Sequence, residues 1–429
     1  MRLIRKAWWV GRRRGLRAVI DLAVPKALHV LRIRTIRPYP YSHFEALSAI
    51  DPYQPATIPR PRLKWQRSPT MRLRWYMPEP GRGSGGHHTL FRLIRLLQHR
   101  GHLSEVAVLH GAHTSKSRDG TRQFVLRQFG TDVPVIWDTD DRSDADIVLA
   151  SSWQSAYAIA TDVDCALRAY VVQDWEPDFY PRGSEQIMAE NSYLLGHTHI
   201  TAGPWLARRL GERGLPAEYF HLGADQETYY PSDGPHEQDR SHVVFYARPY
   251  TPRRCFEIGC EALRLLDRQL GRGRLSVSMV GAEIVPFPTR YRTRWLGTVP
   301  PRELRRLYTS ADVVLVLSAT NPSLVPLEAA LCEAPVVDLR VPSAAGTFEA
   351  GVTGLLAPPS AHSLAAAMSD LLADRRAARE LGRQARRYAL QFTWEAAAAT
   401  VERHLMEALE HHSRRPLASG ARRHDHDTG

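Results

Sequence analysis

The sequence predicts an α/β fold built as two units of similar size, each a parallel sheet covered on both faces by helices. Three observations carry this reading. From Met71 onward, short continuous apolar runs alternate with amphipathic helical patterns, the texture of strands buried on both faces. The alternation breaks at the turn-forming, charged stretch PSDGPHEQDR and then restarts. The chain of 429 residues has room for two or three substantial cores, and 43% hydrophobic with 24% charged residues is a globular composition.

Residues 1–40 read as a basic amphipathic arm. They hold eleven Lys or Arg against one acid, Asp21, and so carry +10 of the formal net charge of +12. Trp8, Trp9, Val10, Leu16 and Val19 lie among the arginines, a pattern suited to an anionic membrane surface. The longest apolar stretch, AVIDLAVPKALHVL, is interrupted by Asp21, Pro25, Lys26 and His29. That argues against a signal peptide, and no window supplies the about 18 apolar residues of a spanning helix. No recognised nucleic-acid module follows the basic run, so nucleic acid is not expected as a partner.

Residues 41–70 form a Pro-rich linker, expected to be extended. The first unit covers 71–232: MRLRWYMP, EVAVLHG, DIVLASS and ALRAYVVQD read as strands, HTLFRLIRLLQHRG and EQIMAENSYLLG as helices. The second covers 241–392. Its strands are HVVFYARP, LSVSMVGAE, DVVLVLSAT and PVVDLR; its helices are RCFEIGCEALRLLDRQLG, PRELRRLYTSA, LVPLEAALCEA and further ones from Ser363 to Phe392. A last helix over 393–412 could cross back to the first unit. The tail, 413–429, has no apolar periodicity and is expected to be disordered. The four cysteines, Cys165, Cys255, Cys260 and Cys332, show no paired spacing and read as reduced thiols of a cytoplasmic protein.

Three loops carry chemistry. In PEPGRGSGGHH a strand feeds a Gly-rich loop (Gly81, Gly83, Gly85, Gly86) and then a helix, where bare backbone can approach a ligand and a helix start favours an anion. It is neither a P-loop nor a clean GxGxxG. In FYARPYTPRRCFEIG, Arg248 ends a strand and Arg253 and Arg254 open a helix; two guanidiniums there can clamp a diphosphate. In NPSLVPLEAALCEAPVV, Ser323, Leu324 and Val325 present N–H groups at a helix start. One turn in, Glu328 is a lone acid that could accept hydrogen bonds from vicinal hydroxyls or simply complement the helix dipole.

No metal site is expected. DTDDRSDAD, Asp138 to Asp146, reads as a solvated loop on the N-terminal side of the next strand, away from the cleft. His87, His88, His110 and His113 lack ligand spacing, although His110 or His113 could face the cleft.

Together these features resemble the GT-B glycosyltransferases, notably glycosyltransferase family 4, over about residues 71–410. The resemblance implies two Rossmann-like domains facing across a cleft. It gives Arg248 and Arg253 to the donor's diphosphate, with Arg253 standing where the family has Lys, and Ser323, Leu324 and Val325 to the same group. Glu328 matches the second acid of an E-x7-E pattern and would hold the ribose. The first acid falls at Thr320 and is missing. Gly281, in MVGAE, and Val299 match positions beside the nucleobase. The segment QDWEPDFYP is similar to a signature of rhamnosyltransferases of surface-glycan assembly. It puts Gln173, Asp174 and Glu176 beside the presumed reaction centre as catalytic candidates. Trp175, Phe179 and Tyr180 could stack on sugars or belong to the core.

The resemblance implies transfer of a sugar, rhamnose first among the candidates, from a nucleotide-diphosphate donor such as dTDP-rhamnose to a glycan or lipid-linked glycan. Retention of configuration and no metal or other cofactor are implied with it. The basic arm adds a peripheral place on the inner face of the cell membrane. The alternatives are another hexose donor, a non-catalytic GT-B-like scaffold in a glycan-assembly complex, and a GT-B sugar epimerase.

Overall fold

The computed structural model describes residues 50–109, 116–140, 143–232, 240–281, 289–344, 351 and 353–414. The basic arm, residues 41–49 of the linker, His110, His113 and residues 415–429 of the tail lie outside them; Ser413, expected in the tail, ends the last helix.

The first sheet is seven-stranded and parallel throughout, in the order β3-β2-β1-β4-β5-β6-β7. Its strands are β1 (Arg72–Met77), β2 (Leu103–Val108), β3 (Val135–Trp137), β4 (Ala145–Ala150), β5 (Cys165–Val172), β6 (Thr198–Ala202) and β7 (Ala217–Phe220). The second sheet is six-stranded, also parallel, in the order β10-β9-β8-β11-β12-β13. It comprises β8 (Ser241–Tyr246), β9 (Leu275–Val280), β10 (Arg292–Gly297), β11 (Val313–Leu315), β12 (Val336–Leu339) and β13 (Leu355–Ala357). Strands β4, β5 and β9 are buried at every residue, as a parallel sheet with both faces covered requires. In register, Trp75 of β1 lies between Val106 of β2 and Leu149 of β4.

The first sheet is covered by α1 (Gly85–His99), α2 (Arg118–Phe129), α3 (Trp153–Ala160), α4 (Ser184–Asn191) and α5 (Pro204–Gly211). The second carries α6 (Phe256–Leu270), α7 (Pro301–Ser310), α8 (Val325–Leu331), α9 (Ala361–Ala373) and α10 (Arg375–Ala389), and α11 (Trp394–Ser413) ends the described chain. Helix α1 buries Leu90, Phe91, Leu93, Ile94 and Leu97, the helical stripe read from the sequence. Its N-cap is Ser84, so Gly85 and Gly86 form its first turn instead of preceding it. Helix α10 turns Arg375, Arg376, Arg379, Arg383 and Arg387 outward and buries Ala378, Leu381, Ala385 and Ala389. At Gly382 a Cβ would meet the carbonyl oxygen of Glu333 at 2.0 Å, so glycine sets how closely α10 approaches.

Helix α11 lies in the first core: Trp394, Ala397, Ala398, Val401, Leu405 and Leu409 join the cluster that holds Trp75, Phe91 and Val171. The chain thus passes between sheets twice, and the passages touch. Ala224 N donates to Phe392 O at 3.1 Å. A Cβ on Gly223 would fall 2.5 Å from Trp394 N, so only glycine fits there.

Several short or polar elements were not legible as strands or helices: β3, β6, β7, β10, β13, α2, α3 and α5. Strand β3 corrects one expectation. Asp138 to Asp140 follow its C-terminal end, on the same sheet edge as the cleft, and Asp140 pairs with Arg118 and accepts from Trp137 N. Asp146, inside β4, holds Arg72 at 2.9 Å.

Candidate functional site

A cavity of about 910 Å³ lies between the two sheets and takes its lining from both. The first sheet's side contributes the Gly83–His88 turn, Arg92, Gln173, Asp174, Glu176 and Phe179; the second contributes Arg248, Arg253, Gly281, Val299, Ser323 and Glu328, with Leu324 and Val325 beside them. The catalytic, diphosphate, ribose and nucleobase candidates from the sequence, with Gly83, Gly85 and Gly86, therefore reach one cavity, whereas Gly81, Trp175 and Tyr180 do not line it. The strands of each sheet are parallel, so the loops after their C-terminal ends gather on one edge, where ligands bind in open α/β sheets.

Arg248 follows β8 and spans the cavity mouth. Its Nη1 donates to Gly281 O at 2.9 Å and to Gly83 O at 3.3 Å, tying the loop after β9 to the glycine turn before α1. Gly281 has φ +104, and a Cβ there would lie 2.6 Å from the Tyr246 ring, so glycine is required twice over. Gly83, at φ +68, faces Thr298 and Arg248. Gly86 faces the Gln173 amide at ordinary contact distance.

Arg253 and Arg254 do not open a helix. They sit in a 3-10 turn, Pro252–Arg254, that precedes α6. Arg254 is buried and donates to Ser318 Oγ at 2.7 Å. Arg253 turns to the other side: its guanidinium carbon lies 3.9 Å from the centre of the Phe179 ring, and its Nε lies 3.4 Å from Asp174 Oδ2. Burial works against the Arg253 charge and Asp174 works for it.

Asp174 is held across the cleft. Oδ1 accepts from Asn321 N and Trp175 N, both at 2.9 Å, and Oδ2 accepts from Thr320 Oγ1 at 3.0 Å. Burial raises its pKa, opposed by Arg254, the Asn321 N–H and Arg253. The Asn321 side chain adds two donations from the second sheet to the first, to Gln173 O at 2.9 Å and Ala202 O at 3.0 Å. Sequence reasoning missed Asn321. Only its place after a strand and before Pro322 could have pointed to it.

Glu176 lines the cavity with its carboxylate engaged. Oε2 accepts from Trp153 N, the first N–H of α3, at 3.0 Å, and Oε1 accepts from Tyr170 OH at 2.7 Å. Burial lifts its pKa to about 7, against those two hydrogen bonds. Trp175 is a core residue. It stacks on Tyr193 at 4.7 Å, and Arg209 and Arg213 each lie 4.5 Å from its ring. The Tyr180 hydroxyl accepts from Trp153 Nε1 at 2.9 Å. Of the three aromatics of the QDWEPDFYP segment, Phe179 lines the cavity.

Glu328 stands one turn into α8, half-buried on the cavity wall. Burial raises its pKa to about 7, opposed first by Arg92 of α1 and then by a hydrogen bond from Tyr229. Arg92, missed in the sequence, is itself paired with Asp225 at 3.2 Å. Helix α8 is seven residues long, so its dipole is small. What it offers are the N–H groups of its first turn, which lack intrahelical partners by position, and the buried hydroxyl of Ser323, which has no protein partner.

His87 and His88 also line the cavity. Burial lowers the His87 pKa to about 4, and burial with Arg92 lowers that of His88, so both rings are neutral near pH 7. His87 Nδ1 lies 2.8 Å from Ser84 Oγ.

Residues 241–368 match the protein family described as WsaF, C-terminal domain. The chain is 32% identical over 272 residues to the O-antigen biosynthesis protein RfbC of Myxococcus xanthus, covering 61% of this chain. It spans 21% of that protein's length. Among solved structures it resembles sucrose-phosphate synthase of Thermosynechococcus elongatus, with TM-score 0.61 and 18% identity over 79% of this chain and 99% of the other. It resembles equally Anabaena HepE in complex with UDP and glucose, with TM-score 0.61 and 16% identity over 80% of this chain and 100% of the other. A putative UDP-N-acetylglucosamine 2-epimerase of Listeria monocytogenes shares the fold at TM-score 0.52 and 14% identity, over 80% of this chain and 97% of the other. The architecture is GT-B, and the resemblance to GT-B glycosyltransferases holds over both sheets. A fold shared by transferases and an epimerase leaves the chemistry to the site.

Proposed function

We propose that this GT-B chain is a glycosyltransferase that moves a sugar from a nucleoside-diphosphate donor to a glycan or lipid-linked glycan. One observation carries the reading: Arg248, Arg253, Ser323 and Glu328 line a single cavity, facing residues of the opposite sheet. Two guanidiniums and first-turn N–H groups fit a diphosphate. A carboxylate beside them fits vicinal ribose hydroxyls, and Gly281 and Val299 line the same cavity where a base would lie. The match to the WsaF C-terminal domain and the similarity to the O-antigen biosynthesis protein RfbC support surface glycan as the product class. The QDWEPDFYP segment supports rhamnose, with dTDP-rhamnose as the candidate donor.

In the proposed reaction the sugar's C1–O bond breaks with its electron pair going to the diphosphate. Arg248 and Arg253 offset the charge that gathers there. The acceptor oxygen bonds to C1. With retention, its proton passes to the departing phosphate oxygen on the same face, which needs no protein base. That agrees with the engaged carboxylates of Asp174 and Glu176, which are better placed to hold loops than to take the proton. No metal is required by this scheme. Residues 1–40 would hold the enzyme to an anionic membrane surface on its cytoplasmic side, where lipid-linked acceptors sit.

The test is a thermal-shift panel of nucleoside diphosphates and nucleotide sugars on the full chain and on Glu328→Ala and Arg253→Ala. Stabilisation of the parent by dTDP or UDP, absent in both variants, is the expected result. A parent that responds to none of them overturns the reading. Transfer assays with rhamnose and hexose donors then separate rhamnosyl from other hexosyl transfer, and binding without transfer would support the scaffold alternative.

A further inference from the structure

Arg253 reaches the cavity from the second sheet, yet the groups that orient it come from the first. The Arg253 guanidinium carbon lies over the Phe179 ring, 3.9 Å from its centre, and Asp174 faces its Nε at 3.4 Å. The two contacts differ in kind. The Arg253 Nε is buried and makes no hydrogen bond, so Asp174 is a counter-charge and not a fixed partner. Asp174 does not depend on Arg253 in return, because Trp175 N, Thr320 Oγ1 and Asn321 N already satisfy its oxygens at 2.9 to 3.0 Å. A half-buried cation with an aromatic partner and a loosely held counter-ion can change its anion without losing its place.

Resting on the transferase reading, we infer that Phe179 is a positioning residue for the donor diphosphate: it is the shelf on which Arg253 is handed from Asp174 to the diphosphate. Asp174 is the counter-charge of Arg253. When the diphosphate arrives it takes the guanidinium's free N–H edge. Phe179 keeps the guanidinium plane in position, and Asp174 stays bound to the Thr320–Asn321 loop. Because Phe179 belongs to the opposite sheet, the diphosphate site is complete only while the two halves of the cleft are in contact. The donor grip therefore senses closure of the cleft through one aromatic ring.

The test is calorimetric titration of dTDP and UDP into the full chain and into Phe179→Ala, Phe179→Tyr and Asp174→Asn, with the ligand-free melting temperature of each. Phe179→Ala is expected to bind the diphosphate roughly three- to tenfold more weakly, the range of a partly desolvated cation–π contact. Phe179→Tyr is expected to restore parental affinity. Asp174→Asn keeps acceptor and donor atoms for its loop contacts but removes the competing charge, so it is expected to bind the diphosphate more tightly than the parent. Parental affinity in Phe179→Ala, or a Phe179→Tyr variant as weak as Phe179→Ala, overturns the shelf. Weaker binding by Asp174→Asn overturns the handover. A parent that binds no nucleoside diphosphate overturns the transferase reading first and this inference with it.

Discussion

The Thr320 hydroxyl donates to Asp174 Oδ2 at 3.0 Å, joining the loop after β11 to the loop after β5 across 146 residues of sequence. With the three donations of Asn321 it makes a partly buried polar seam between the two sheets. Such a seam holds only while every member is paired. Asn321→Ala removes the side-chain bonds to Gln173 O and Ala202 O and is expected to cost on the order of 2–3 kcal/mol. A fall in melting temperature and a cleft more accessible to proteolysis would be read together; an unchanged melt would show the seam to be dispensable.

Gly281→Ala meets two penalties, a left-handed backbone at φ +104 and a Tyr246 ring 2.6 Å from the new carbon. The loss is expected to be about 1–3 kcal/mol. Arg248 leans on the Gly281 carbonyl, so nucleoside-diphosphate affinity should fall by more than the stability does. Titrating dTDP into the variant at a temperature where it remains folded separates the two effects.

Glu328 has a pKa of about 7, raised by burial, so it gains its charge as pH rises through neutrality. If the ionised form holds the ribose hydroxyls, affinity should weaken below pH 7, by up to about tenfold per pH unit. Glu328→Gln should flatten this dependence. The ligand's own phosphate titration is common to both proteins, so their difference between pH 5.5 and pH 8 reports Glu328 alone; parallel curves would remove the carboxylate from the ribose site.

Glu176 makes a stability prediction of definite sign. Its folded pKa of about 7 exceeds the ordinary 4.5, so the folded state keeps a proton that the unfolded chain has released. Stability from this group is full below about pH 4.5, falls as pH rises to about 7 and stays low above that. Glu176→Gln carries no such term. Relative to the variant, the parent should lose on the order of 3 kcal/mol across that window, read from melting temperatures at pH 5 and pH 7.5. Parallel melts would mean that Glu176 is ionised throughout.

The wall of the cavity on the second sheet was legible in the sequence because its signals are local. Arg248, Arg253, Gly281 and Glu328 each stand at a fixed offset from the end of a long apolar strand or the start of a helix. The seam was not legible. Nothing near Asn321 announces a carbonyl at Ala202, and the acid missing at Thr320 gives no hint that Asp174 meets that hydroxyl from the other side. Glu176 illustrates the same limit. A carboxylate inside the most distinctive motif invites a chemical role, and only the arrival of Trp153 N and Tyr170 OH shows it capping α3. Short strands such as β3 and β13 carry too few residues for a period to show, and overlooking β3 put Asp138 on the wrong edge of its sheet.

Helix α11 fixes the order in which the protein can be completed during synthesis. The first core needs Trp394, Val401, Leu405 and Leu409, yet these leave the ribosome after every strand of the second sheet. Until then the earlier half of the polypeptide exposes the apolar surface that these side chains cover. A fragment ending near residue 232 should therefore aggregate when expressed alone, and supplying residues 240–414 as a separate chain should rescue it.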